Sequence, residues 1–139
     1  MPMAFDPQAH LVNALTGEPV KLLHSDGSVL VDIGGVAGAV GTIGADTEVG
    51  LDRIVMQPGA AFELHTHPGA HILYVLSSRG LIHIDGLDYP IARGDSIFVP
   101  ADYPHGVKTD PGTDQPLEFV AFGVPHMPIG SPDRMMVME

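Results

Sequence analysis

The sequence predicts an all-β sandwich or barrel, and three observations carry that expectation. Seventeen glycines and thirteen prolines interrupt the 139 residues about every five positions, a density that leaves little room for long helices. Between the interruptions lie short runs rich in Val, Ile, Leu and Phe. Turn signals separate these runs at intervals of about eight to twelve residues, the spacing of sandwich and barrel strands.

Taken in order, residues 1 to about 19 are rich in breakers and read as an arm or short helical turn. Val20–Leu23 and Ser28–Ile33 read as strands joined by an Asp26-Gly27 turn. Residues 34–44 are small and carry no clear signal. Val49–Met56 is strand-like and stops at Gln57-Pro58-Gly59. Strands follow at Phe62–His67, His71–Ser77, Leu81–Ile84, Ser96–Val99, Val107–Thr109 and Leu117–Phe122. Breaks are set by Pro68-Gly69, Gly80, Asp85-Gly86, Arg93-Gly94-Asp95, Pro100 and Asp110-Pro111-Gly112. Residues 124–139 hold Met127, Met135, Met136 and Met138 and read as an irregular tail, either a partly ordered terminus or an adaptable apolar cover.

Composition narrows the function classes. Seventeen acidic residues against six basic ones give a formal charge of −11. A nucleic-acid binder needs a basic face, and so does a protein docking on anionic lipid. Without cysteine there is no disulfide framework, thiolate ligand or cysteine nucleophile. No apolar run reaches about 18 residues, and no basic-then-apolar leader opens the chain. The expectation is a single cytoplasmic domain that binds neither nucleic acid nor membrane.

Four of the eight histidines are spaced for a metal. His65 and His67 stand at i and i+2, which on a strand share one face. Pro68-Gly69-Ala70 is read as a three-residue hairpin loop that pairs His67 with His71 and puts a third imidazole on that face. His105 joins them only through tertiary closure. Converging imidazoles suit zinc, copper, iron and nickel. Glu63 shares the parity of His65 and His67, so it is a candidate to move protons or to orient a ligand imidazole. His10, His24 and His83 are read as bystanders. So is His126, which follows the last strand near the barrel mouth. Leu73 and Val75 share the parity of His71 and should line the interior. Ile72, Tyr74 and Leu76 then face outward, and three such positions predict a homodimer through the sheet face.

The stretch Gly59 to Gly80 resembles the first cupin motif: Gly, five residues, His-x-His, three or four residues, an acidic residue, then Gly. Gly59, His65 and His67 match, His71 replaces the acidic residue, and Ser78 stands at the last Gly. The stretch Gly94 to His105 resembles the second motif. Gly94, Pro100 and His105 match, Asp102 replaces a Gly, and Thr109 stands where Asn is usual. The resemblance implies a single-domain cupin, a jelly-roll barrel or double-stranded β-helix, with an arm over about 1–19, a barrel over about 20–123 and a tail over about 124–139. It implies one divalent ion per chain on His65, His67, His71 and His105, zinc first, with iron, manganese, nickel or copper as alternatives.

Among small four-histidine cupins, the chain is similar to zinc-dependent cyclases of aromatic polyketide pathways and to manganese-type monocupins. The first resemblance implies a polyketide cyclase acting on a hydrophobic poly-β-ketone, with the metal as Lewis acid for an aldol ring closure and Glu63 moving protons. The alternatives are a dioxygenase acting on a chelating dicarbonyl or phenol, and a non-enzymatic metal or ligand sensor.

Overall fold

The computed structural model describes residues 4–23, 26–62, 64–127 and 136–137. Among the described residues one four-residue helix, α1 (Pro7–His10), precedes eleven strands: β1 (Val20–Leu23), β2 (Val29–Ile43), β3 (Thr47–Met56), β4 (His65–Thr66), β5 (Ala70–Ser77), β6 (Arg79–Ile84), β7 (Leu87–Ala92), β8 (Ser96–Val99), β9 (His105–Thr109), β10 (Leu117–Val124) and β11 (Met136–Val137). They form two sheets, ordered β1-β2-β3-β10-β5-β8 and β11-β4-β9-β6-β7. Every pairing is antiparallel. The core between the sheets contains Ile54, Met56, Leu73, Val75, Ile82, Val99, Val107, Leu117 and Phe119.

Alternation along the strands sets this core. In β5, Leu73 and Val75 are buried while Ile72 and Tyr74 are about half exposed, as period-two geometry requires. The Asp85-Gly86 pair turns β6 into β7 with both residues at positive φ, the backbone of a two-residue hairpin turn.

Several elements differ from the sequence reading. Phe62–His67 is not one strand, because only His65–Thr66 pairs as β4. The small residues 34–43 continue β2 rather than breaking it. β7 was not foreseen, since it contains Pro90 and lies at a sheet edge, the place where a strand tolerates proline. The tail contributes β11, which pairs Val137 with His65 and Met136 with Thr66.

The proposed His67–His71 hairpin does not form. β4 belongs to the five-stranded sheet and β5 to the six-stranded one. Pro68-Gly69 therefore carries the chain across the barrel, so residues 67 and 71 face each other between sheets rather than along a ladder.

The two departures that fall at glycines of the cupin motifs keep the backbone that glycine would have had. Ser78 and Asp102 both have positive φ, 69° and 58°. Aspartate enters this region more readily than most residues. The Ser78 hydroxyl donates to the Gln115 carbonyl at 3.0 Å, a local bond that holds its turn.

Candidate metal centre

His65 and His105 are direct cross-strand partners on β4 and β9, and their ring centroids lie 4.4 Å apart. His67, just past β4, brings its ring within 4.7 Å of His105 and 4.1 Å of His71. His65, His67 and His105 are all buried, and one ligand nitrogen from each falls within 4.8 Å of the others. His71 lines the same cavity but is not among those three. Its Nε2 leans over Gly123, where an added Cβ would stand only 3.0 Å away.

The hydrogen bonds fix the tautomers. His67 Nδ1 is 2.8 Å from the Gly69 carbonyl, and His105 Nδ1 is 2.9 Å from the Tyr103 carbonyl. A carbonyl only accepts, so each Nδ1 carries the proton and donates. In a neutral imidazole each Nε2 is then an acceptor lone pair. These two Nε2 atoms sit 3.1 Å apart. Two lone pairs so close repel unless a cation lies between them. Burial holds the His105 imidazole below its usual range, against a smaller opposing pull from the Tyr103 carbonyl. Nitrogens sharing one zinc-sized ion at about 2.0–2.1 Å stand roughly 3.0–3.4 Å apart, and the observed separation fits. The residues present therefore suit a divalent metal, and their carbonyl partners orient them for it.

The surrounding cavity holds about 50 Å³ and is walled by Ile54, Phe62, Leu73, Val107, Phe119 and Ala121 beside the four imidazoles. That is space for a few waters or for the two-oxygen head of a chelating molecule. Glu63 lies outside the described residues. The neighbouring Phe62 N–H donates to the Val107 carbonyl at 2.7 Å, and the Phe62 ring lies 5.7 Å from that of His65.

The cupin domain family profile matches residues 52–123, just over half of the sequence. The chain belongs to the cupin family. This cupin is 37% identical over 70 residues to an oxalate-binding protein of Thermotoga maritima, covering 50% of this chain and 56% of that protein. It spans about half the length of the curated relatives it matches. Among solved structures it resembles the polyketide cyclase RemF from Streptomyces resistomycificus, with a TM-score of 0.67 and 20% identity over 92% of this chain and 85% of that one. A Thermotoga maritima protein described as a predicted oxalate decarboxylase superposes with a TM-score of 0.63 and 20% identity, covering 84% of the cupin and 99% of that chain. At these identities the likeness establishes the fold.

Asp52 escapes the sequence reading, and His126, read there as a bystander near the barrel mouth, is bonded to it in the interior. His126 is buried, with Nε2 3.0 Å from Asp52 Oδ2 and Nδ1 3.3 Å from Glu48 Oε1. Asp52 is 1% exposed and faces inward with Ile54 and Met56. The signal for Asp52 was its parity with those two apolar residues. Nothing local marks His126, whose partners lie far back in the sequence. The other bystanders behave as read where they are described. His83 pairs with Asp88 across the β6–β7 hairpin, and His10 accepts from the Asp6 N–H. His24 lies outside the described residues. Among the described residues no helix is long and apolar enough to cross a membrane.

Proposed function

We propose that this cupin is a metal-dependent enzyme that closes a ring in a poly-β-ketone by an aldol-type reaction. The observation that carries the reading is a group of three buried imidazoles, His65, His67 and His105, whose ligand nitrogens converge beside an apolar-walled cavity. His65, His67 and His105 would hold the ion, with His71 a fourth ligand after a small swing off Gly123. A divalent ion bound only by neutral ligands keeps its full charge, polarises carbonyl oxygens and stabilises an enolate. The apolar walls take a dicarbonyl head and exclude bulk water, while the rest of a longer substrate stays outside the small cavity. Glu63 is proposed either to move protons or to orient a ligand imidazole. Likeness to a polyketide cyclase over nearly the whole chain supports the reading.

Elemental analysis of tag-free protein purified without chelator is the test. One zinc per chain, and enolisation of a β-dicarbonyl without oxygen uptake, would agree with it. Iron, manganese or copper with oxygen uptake would replace it by an oxygenase.

The cavity size and the Thermotoga relative favour one further reading, binding of a small two-oxygen ligand without ring closure. Calorimetry with oxalate tests it, and tight binding with no enolisation of a β-dicarbonyl would select it.

The chain is also proposed to pair with itself. On the outer face of the six-stranded sheet, Ile72 lies in register between Phe98 and Phe122, and all three are exposed. Light scattering at micromolar concentration should give a dimer, and Ile72→Asp should give a monomer that retains its metal.

A further inference from the structure

Away from the metal cavity, His126 and Asp52 are bonded to each other with side-chain exposures of 6% and 2%. Burying polar groups is costly even when they are bonded, and apolar residues would fill the space more cheaply. The pair calls for a role beyond stability, and its place in the chain supplies one.

His126 belongs to the segment that leaves β10, Val124 to His126. Its N–H donates to the Glu48 carbonyl at 2.8 Å, and its Nε2 lies 3.0 Å from Asp52 Oδ2. Its ring lies over Gly50, where a Cβ would stand 2.8 Å away. Backbone, ring nitrogen and ring face are thus all held by β3. One residue earlier, the Pro125 carbonyl oxygen presses on Gly69. A Cβ at Gly69 would run into that oxygen and stand 3.3 Å from the Pro125 nitrogen. Gly69 does not take the left-handed backbone that favours glycine, so its own conformation would admit other residues. The crossing of two backbones excludes them, and a backbone cannot turn aside as a side chain can.

Gly69 is also the partner of a candidate ligand. Its carbonyl accepts from His67 Nδ1 at 2.8 Å, which leaves Nε2 as the atom facing His105 Nε2. His67 lies between β4 and β5, where no ladder fixes it. A hydrogen-bond partner so placed sets the tautomer and aim of a metal-binding imidazole. His105 is held by other means. It stands on β9, paired with β4 and β6, and its Nδ1 donates to the Tyr103 carbonyl of its own loop at 2.9 Å.

We propose that Val124–His126 is a positioning strap for His67, acting through Gly69, with the buried Asp52–His126 pair as its anchor; the inference rests on the reading of His65, His67 and His105 as metal ligands. β3 holds His126, and His126 holds Pro125. Pro125 keeps Gly69 in place, and the Gly69 carbonyl keeps the His67 ring turned with Nε2 toward His105. β3 lies in the six-stranded sheet, whereas His67 follows β4 of the five-stranded one. One wall of the barrel thereby sets a ligand of the other.

The test uses the full chain, metal-free for spectroscopy and titrated with zinc for affinity. Nitrogen-15 spectra of the wild type at about pH 7.5, where free imidazole is neutral, should show His67 and His105 both protonated at Nδ1. Gly69→Ala should lose that single form at His67 and keep it at His105. Its zinc affinity, from competition with a fluorescent chelator, should fall about tenfold to a hundredfold. His126→Asn keeps a donor for Asp52 but shortens the anchor. It should change the His67 signal in the same direction and cost up to about tenfold. A merely structural role would move both histidines or neither. Equal changes at the two, an unchanged His67 in Gly69→Ala, or an Nε2-protonated His67 in the wild type would overturn the inference and leave the ligand reading standing. A wild type that takes up no zinc would sink that reading and this inference with it. If Gly69→Ala fails to fold, His126→Asn decides: a His67 signal like that of the wild type overturns the strap, and a change confined to His67 supports it.

Discussion

On the five-stranded wall of the barrel, His65 and His105 are held opposite each other by strand register, and His67 follows directly from the same strand. On the six-stranded wall, His71 reaches the same cavity from β5 and rests over Gly123 of β10. The first arrangement fixes the nitrogens through backbone hydrogen bonds. The second sets the ring against Gly123, its cross-strand partner on β10. From the difference we infer a rigid part, the three imidazoles whose nitrogens converge, and an adjustable part, His71, which stands outside that group.

The largest expected effect breaks the rigid part. His67→Ala and His105→Ala should each weaken metal binding by more than about a hundredfold, beyond the range typical of losing an outer hydrogen-bond partner. Competition with a fluorescent chelator measures this. The adjustable part should be milder, with His71→Ala costing about tenfold to a hundredfold. Equal losses in the two walls would erase the distinction between them.

Acid should act on the rigid wall next. The folded protein holds His105 below its usual range through burial, whereas in the unfolded chain it titrates near 6.5. As pH falls through that value the unfolded state takes up the proton and the native state resists it. Stability present above that pH is therefore lost progressively below it. Metal affinity falls in the same direction, because bound imidazole must be neutral. Thermal melts of the metal-free protein from about pH 8 down to about pH 5 should show a declining midpoint, smaller in His105→Ala.

The smallest effect concerns the loop that supports His67. The Asp102 N–H donates to the His67 carbonyl at 2.9 Å while Asp102 keeps a positive φ. Asp102→Gly relieves that backbone and should change stability by no more than about 1 kcal/mol, readable by chemical denaturation. Metal affinity should stay within about threefold, since the backbone hydrogen bond is kept.

Much of this was legible in the sequence. Period-two reasoning sorted Leu73 and Val75 from Ile72 and Tyr74, because alternation is a property of one strand alone. The His-x-His spacing and the two motifs point to four histidines, of which His65, His67 and His105 bring their ligand nitrogens together. Parity could not tell which sheet a strand joins, which is why His71 was placed on a hairpin. It nonetheless came to lie beside His67, since both inner faces look into one barrel. Asp52 and His126 meet only because β10 inserts between β3 and β5, and no local pattern encodes that insertion. β7 was hidden by Pro90, and β2 by glycines whose strand character comes from pairing with β1 and β3.

The pairing of β11 with β4 has a consequence for biosynthesis. His65 lies on a strand of two residues whose outer neighbour, Met136–Val137, is translated after β1 to β10. The ribosome therefore finishes the barrel walls before it supplies the strand that covers β4. Nascent chains halted after β10 would leave β4 as an open edge, a place where strands of other chains can add. Metal loading before that point would occur on a strand without its last partner.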